Sequence, residues 1–207
     1  LRYIAGLQNP TSGQVLLREK PVHESGIRAG MVFQQYSSLP WMTVLENVEL
    51  GLSFQQVEAK ERRRRAQEMI EMVGLAGHEN KYAVYPTLSG GQLQRIAIAR
   101  SIIASPDILL MDEPFGALDI NTRLQMQDLL EDIWLKFQPT IVFVTHDIEE
   151  AVYLADDIYI MAANPGRFVH HISVDLPFNR NMEVKHSAQF NEIVRKVEDR
   201  MIEVARM

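Results

Sequence analysis

The run Ile108-Leu109-Leu110-Met111-Asp112-Glu113-Pro114 decides how the rest of the chain is read. A short unbroken apolar stretch stopped by acids and a proline suits a strand buried on both faces, as in a parallel sheet. Such a strand delivers its last residues to the carboxyl edge of the sheet, where open α/β folds bind ligands. Side chains alternate along a strand, so Asp112 and Glu113 point in different directions. One carboxylate there can hold Mg2+, usually through water, and the other can take a proton from an attacking water. Taken alone, the run is equally a strand that ends in solvated acids.

Downstream the same rhythm continues. A helix is expected over 119–137, a strand over 140–145, a helix over 147–155 and a strand over 157–162. A further strand follows over 167–174, and a closing helix over 187–205. Alternation of apolar strands with helices predicts a parallel sheet covered on both faces. Asp147 and Glu150 have the spacing of a capping box for the helix that starts between them.

Upstream, residues 1–7 read as the tail of a helix, followed by the breaker cluster Asn9-Pro10-Thr11-Ser12-Gly13. Strands are expected over 14–18 and 30–33, the second ending at Gln34-Gln35. A loop over 36–41 carries bulky apolar residues. Thr43, with Glu46 three residues on, predicts a capped helix start. From 43 to 104 the chain reads as a mainly helical subdomain inserted in an α/β core. Within it Ala66, Met69, Ile70 and Val73 recur at helical spacing and make one apolar face. The basic run Arg62-Arg63-Arg64-Arg65 could be a patch for nucleic acid or anionic lipid. Interleaved Glu58, Glu61 and Glu68 at i, i+4 spacing favour a solvated helix face instead.

Bulk properties narrow the classes. A chain of 207 residues can bury a real core, and a net charge of −6 gives no general pull toward nucleic acid. The absence of cysteine excludes disulfides, thiolate metal sites and a thiol nucleophile. No apolar run approaches the roughly 20 residues that span a bilayer, and no signal peptide is visible. Any membrane role is therefore expected to run through a partner.

A second run, Leu88-Ser89-Gly90-Gly91-Gln92, carries a stronger signal. Ser89 is a good N-cap, and glycines at a helix start let a backbone or a phosphate approach closely. The first N–H groups of the helix and its dipole favour an anion. The following residues Leu93, Ile96, Ala97, Ile98, Ala99, Ile102 and Ile103 pack the helix into a rigid platform. His146 follows the apolar strand 140–145 and so reaches the same sheet edge. Gln34 also follows a strand and could orient a water or touch a metal. Taken singly, His146 reads as a helix-entry residue and Gln34 as a polar loop residue.

In order, the chain presents Phe33-Gln34, Leu88 to Gln92, Ile108 to Pro114, Ala117-Leu118-Asp119 and Thr145-His146-Asp147. This series resembles the nucleotide-binding subunit of ABC (ATP-binding cassette) ATPases over nearly the whole chain. The resemblance implies a P-loop NTPase-like α/β fold, a mainly parallel sheet with a helical subdomain, and ATP with Mg2+ as cofactors. Gln34 is similar to the Q-loop glutamine, which links the γ-phosphate and the metal to the partner-contacting surface. Ser89, Gly90, Gly91 and Gln92 resemble the signature motif. Asp112 looks like the Walker B acid that holds the metal, and Glu113 like the catalytic glutamate. Residues 117–119 resemble the D-loop, with Asp119 at its end, and His146 resembles the switch histidine.

One part of that pattern is missing. The phosphate-cradling loop G-x-x-x-x-G-K-S/T is absent, because none of the six lysines follows a glycine. In the family this loop lies just upstream of a helix like 1–7. The chain is therefore expected to start a few residues after it, without its N-terminal strands. The family works as a head-to-tail dimer in which each ATP sits between the P-loop of one subunit and the signature motif of the other. These 207 residues are accordingly expected to be inactive alone, while the intact protein couples ATP hydrolysis to transport.

The implied partners are integral membrane permease subunits, a second ATPase subunit and a solute-binding protein, with no nucleic acid. The implied place is the cytoplasmic face of the inner membrane. Leu39-Pro40-Trp41 either anchors the membrane subunit or packs Trp41 into the helical subdomain. Asn164-Pro165-Gly166-Arg167 and Val174-Asp175-Leu176-Pro177 resemble the nitrate, sulfonate and taurine importer branch. Rival classes are an ABC ATPase acting on DNA or the ribosome, which would need coiled-coil arms or a second cassette, and a non-catalytic remnant that only binds partners.

Overall fold

The computed structural model describes residues 1–34 and 37–206. Gln35 and Tyr36, part of the expected strand end and loop, lie outside the described residues. The chain divides into two compact units, one of residues 1–126 and 137–144, the other of 127–136 and 145–207.

The first unit opens with one helical turn, Ala5 N–H donating to Leu1 O at 2.9 Å, where residues 1–7 were expected to be a helix tail. Leu7 N–H donates to Arg2 O at 2.9 Å, Gly6 N–H donates to Tyr3 O at 3.2 Å, and Gly6 has φ +69°. That is a Schellman closure, with glycine in the left-handed position that a side chain disfavours. The strand expected over 14–18 shrinks to β1 (Leu16–Leu17), paired antiparallel with β2 (Lys20–Pro21). Arg18 and Glu19 between them both have positive φ, which tightens the reversal and stops the ladder.

β3 (Ala29–Val32) begins the parallel sheet. Then α1 (Val44–Phe54) starts at Thr43, whose hydroxyl and the Glu46 carboxylate close the predicted capping box. α2 (Ala59–Met72) starts at Glu58, which accepts from Lys60 N and Glu61 N. Its Ala66, Met69 and Ile70, with Val73 just past its end, are buried, as their spacing predicts. Arg64 and Arg65 bond Glu61, and Arg62 lies 3.6 Å from Glu49, so this run is largely matched by its own acids. α3 (Gly90–Ile102) is capped reciprocally by Ser89 and Gln92.

β4 (Ile108–Asp112) and β5 (Thr140–Val144) complete the sheet in the order β3-β4-β5, all parallel. Leu109, Leu110 and Met111 of the central strand have no exposed surface. Coverage on both faces holds for β4 but not for β5, whose Ile141, Val142 and Phe143 stay half-buried. α4 (Ile120–Phe137) contributes residues to both units.

The second unit holds α5 (Ile148–Leu154), β6 (Asp157–Ala162), β7 (Arg167–Ser173), a 3-10 turn at Met182–His186 and α6 (Ala188–Ala205). Here the expectation of one continuing parallel sheet is corrected. β6 pairs antiparallel with β7 in a separate two-stranded sheet. The cause is in the sequence: Asp157, Tyr159 and Met161 alternate with buried Ile158, Ile160 and Ala162, the pattern of a strand with one covered face. That covered face packs with Val152, Tyr153, Ile172, Phe190 and Val197.

Candidate functional site

Register builds the site. β3 and β4 pair Val32 with Met111, so the residues that follow, Phe33-Gln34 and Asp112-Glu113, leave the sheet side by side. Gln34 Nε2 donates to Glu113 Oε2 at 3.2 Å. On the other side Glu113 N–H donates to Val144 O at 2.9 Å, which carries the β5 pairing beyond the end of β4. Glu113 has φ +43°, a left-handed backbone that a non-glycine residue rarely adopts. Such a conformation costs on the order of 1–3 kcal/mol and persists where the surroundings impose it. Those surroundings include the buried Phe115, 5.6 Å from Phe143 between ring centres, and the Gly116 N–H bond to Glu113 O. Asp112 is the last residue of β4 and half-buried.

The turn before α3 is held by two bonds. Ser89 N–H donates to Gln92 Oε1 at 2.9 Å, and Gln92 N–H donates to Ser89 Oγ at 3.3 Å. The N–H groups of the next first-turn residues, Gly90 and Gly91, have no carbonyl one turn earlier within the helix to receive them. Gly91 is buried against Thr122, and a Cβ added to it would lie 2.5 Å from Thr122 Cγ2. Thr122 in turn donates its N–H to Asp119 Oδ1 at 3.0 Å and its hydroxyl to Asp119 Oδ2 at 2.6 Å. These bonds, the hydroxyl's first, hold the exposed Asp119 carboxyl below its ordinary range.

The first unit thus brings Gln34 to Glu113, with Asp112 beside it in sequence, and brings the Ser89–Gln92 turn against the Asp119 turn. His146 belongs to the second unit, where it is exposed. There Thr145 Oγ1 accepts from Asp147 N–H, and Asp147 accepts from Glu150 N–H at 3.0 Å. The expected capping box is not completed by Glu150, which turns inward, is buried, and accepts from Gln127 Nε2.

A model of the ABC transporter family matches residues 1–116. The nitrate import ATP-binding protein NrtD of Synechocystis is 45% identical over 196 residues, covering 92% of this chain and 73% of that protein. This chain belongs to the ABC transporter family. The taurine import ATP-binding protein TauB of Pseudomonas savastanoi is 46% identical over 189 residues, 91% of this chain and 71% of that protein. Among solved structures, the dimeric ATP-binding cassette MJ0796 in a post-hydrolysis state with ADP and Pi aligns with TM-score 0.66 and 36% identity. That alignment covers 76% of this chain and 72% of the other. The chain is thus an ABC ATPase with a P-loop NTPase-like α/β fold.

Parts of this ABC chain escaped sequence reasoning. Asn47 is fully buried and ties the loop before α1: its Oδ1 accepts from Leu39 N–H at 2.8 Å, and its Nδ2 donates to Leu39 O and Thr43 O. Arg100 Nη2 donates to Ser37 O and Ser37 Oγ, both at 2.7 Å. Thr122 was legible only as the third residue after an acid at a helix start. Trp41 is 68% exposed, which removes the reading that buries it in the helical part. Thr43 bridges Tyr82 antiparallel and Ala83 N–H donates to Met42 O, so Trp41 falls in line with exposed Val84 and Tyr85.

Proposed function

We propose that this ABC ATPase powers an importer of a small anionic solute, with Glu113 as the general base for ATP hydrolysis. The observation that carries the reading is the Gln34–Glu113 bond at the carboxyl edge of the parallel sheet. It puts a water-orienting amide and a base in one place, on strands whose registry is set by a buried core. The solute class rests on the relatives named for nitrate and taurine import.

The donor set fits Mg2+, which takes oxygen ligands from one or two carboxylates and keeps the rest for phosphates and water. Asp112 would hold it and Gln34 Oε1 would face it, and the bound ion neutralises phosphate charge. Glu113 takes a proton from the attacking water, and Gln34 fixes the orientation of that carboxylate. The Ser89–Gln92 turn offers its hydroxyl and the first N–H groups of α3 to the phosphates of a nucleotide held by a second subunit. His146 donates to developing γ-phosphate charge, and Asp119 faces the partner in a head-to-tail pair.

No G-x-x-x-x-G-K-S/T occurs in the 207 residues, so they supply the half-site given in trans and leave the phosphate cradle to other residues. By themselves they neither bind ATP tightly nor hydrolyse it. The line of Trp41, Val84 and Tyr85 is an apolar surface for the permease subunit. No described helix is long and apolar enough to cross a membrane. The chain attaches at the cytoplasmic face through the permease subunit, with a solute-binding protein on the far side.

Glu113→Gln in the assembled transporter tests the reading. Turnover should fall about 100- to 10,000-fold while ATP-driven pairing of the subunits persists. Unchanged turnover would reject Glu113 as the base.

A further inference from the structure

We propose that Thr122 is a positioning residue that couples the Ser89–Gln92 turn to Asp119 within one subunit, so that a displacement of the first is passed to the second. Its two branches face two motifs that lie about thirty positions apart in the chain. The Cγ2 methyl rests on Gly91, where an added Cβ would meet it at 2.5 Å, while Thr122 Cβ itself stays 3.9 Å from that point. The other branch, Oγ1, donates to Asp119 Oδ2 at 2.6 Å, and the backbone N–H of the same residue donates to Oδ1 at 3.0 Å.

A β-branched side chain is stiff at χ1, so methyl and hydroxyl turn together. Thr122 cannot rotate its methyl away from Gly91 without swinging its hydroxyl off Asp119. Gly91 is buried, and Thr122 is the side chain that meets it there. One turn further along, Arg95 Nη2 reaches Gln125 Oε1 at 3.5 Å, so α3 and the start of α4 meet at successive turns. The contact makes glycine at position 91 a mechanical requirement as well as an opening for phosphate. Its functional consequence rests on the reading of the Ser89–Gln92 turn as a nucleotide contact. Arrival of a partner's nucleotide at that turn then shifts Asp119 with no hinge between them.

The test is a carbon-13 titration of the Asp119 carboxyl in the 207-residue chain. In the unaltered protein its midpoint lies below the ordinary carboxylate range. Gly91→Ala drives Thr122 away and raises the midpoint. Thr122→Ser keeps the hydroxyl, removes the methyl, and leaves the midpoint low. The double variant Gly91→Ala/Thr122→Ser returns the midpoint to the low value, because the new Cβ then has room. No rise in Gly91→Ala, or no return in the double variant, overturns the coupling. Should Gly91→Ala alone not fold, the double variant decides: folding with a low midpoint shows that removing the Thr122 methyl makes room at Gly91, and a double variant that stays unfolded or has a raised midpoint overturns the coupling.

A second readout separates this coupling from the nucleotide reading. In the assembled transporter, Gly91→Ala lowers ATP-driven pairing and adding Thr122→Ser restores it. Rescue of the titration without rescue of pairing upholds the coupling and rejects the Ser89–Gln92 turn as the nucleotide contact.

Discussion

In the first unit Gln34, Ser89 and Asp119 stand at strand and helix ends and are exposed to solvent, and Glu113 is half-buried beside Gln34. In the second unit Glu150, Tyr153 and Arg180 are buried and committed to neighbours. Arg180 alone donates to Pro177 O, Tyr153 O, Ala155 O and the Asp156 carboxylate. Tyr153 hydroxyl donates to Asp128, and Glu150 accepts from Gln127. The contrast separates polar groups bonded to near neighbours at solvent-facing strand and helix ends from polar groups buried inside a fold. It also warns against choosing a site by titration behaviour alone. Glu131 of the second unit has its carboxyl pushed up to about 7, chiefly by burial, with Arg180 opposing and Asp156, Asp128 and Asp132 adding to the rise. Nothing about Glu131 marks it as reactive; its neighbours are the structural network around Arg180.

The sharpest way to break the comparison is to cut that network. Arg180→Ala strands three carbonyls that lose a charged donor and leaves a void around a nearly fully buried side chain. Denaturant unfolding should show a loss of about 2–4 kcal/mol. Glu113→Gln in the same assay should stay within about 0.5 kcal/mol, because the half-buried side chain can keep its bond to Gln34 as an amide. A neutral Arg180→Ala would remove the distinction between the units.

A smaller effect is expected at Trp41, whose exposure sets it apart from the core. Trp41→Ser should change stability by less than about 0.5 kcal/mol and should uncouple transport while ATPase activity of the intact protein persists. Loss of folding would return Trp41 to a packing role.

The effect expected at Glu131 depends on pH. Its folded pKa is raised from 4.5 to about 7, so between those values the folded state binds more protons than the unfolded chain. Stability therefore falls as pH rises through that window, and the unfavourable contribution is full above it. Glu131→Gln should raise Tm at pH 8 and leave it nearly unchanged at pH 4. An equal shift at both values would contradict burial as the cause.

Much of the first unit was legible because local chemistry and global fold agree there. The Ile108–Met111 run has the unbroken apolar character of a central parallel strand, and the Thr43–Glu46 and Ser89–Gln92 pairs mark helix starts through bonds that need only neighbours in sequence. The spacing of Ala66, Met69, Ile70 and Val73 identifies its own buried face. What escaped depends on contacts far apart in the chain. The positive φ of Glu113 is imposed by Val144, Gly116 and the packing of Phe115. The seat of Thr122 on Gly91 exists only once α3 meets α4. Arg180 has no local sign of burial, since arginine is ordinarily a surface residue. The separate β6-β7 sheet was readable in the alternation from Asp157 to Ala162, but the βα rhythm before it suggested a parallel neighbour instead.

The central claim is that these residues carry the trans half of an ATP site. It is tested by titrating MgATP into the chain alone and into its mixture with a second ABC cassette. That cassette should hold G-x-x-x-x-G-K-S/T but have its own signature serine replaced. The account predicts no saturable micromolar binding by the chain alone and ATP-dependent pairing in the mixture, abolished by Ser89→Arg. Tight ATP binding by the chain alone, or pairing indifferent to Ser89→Arg, would contradict it.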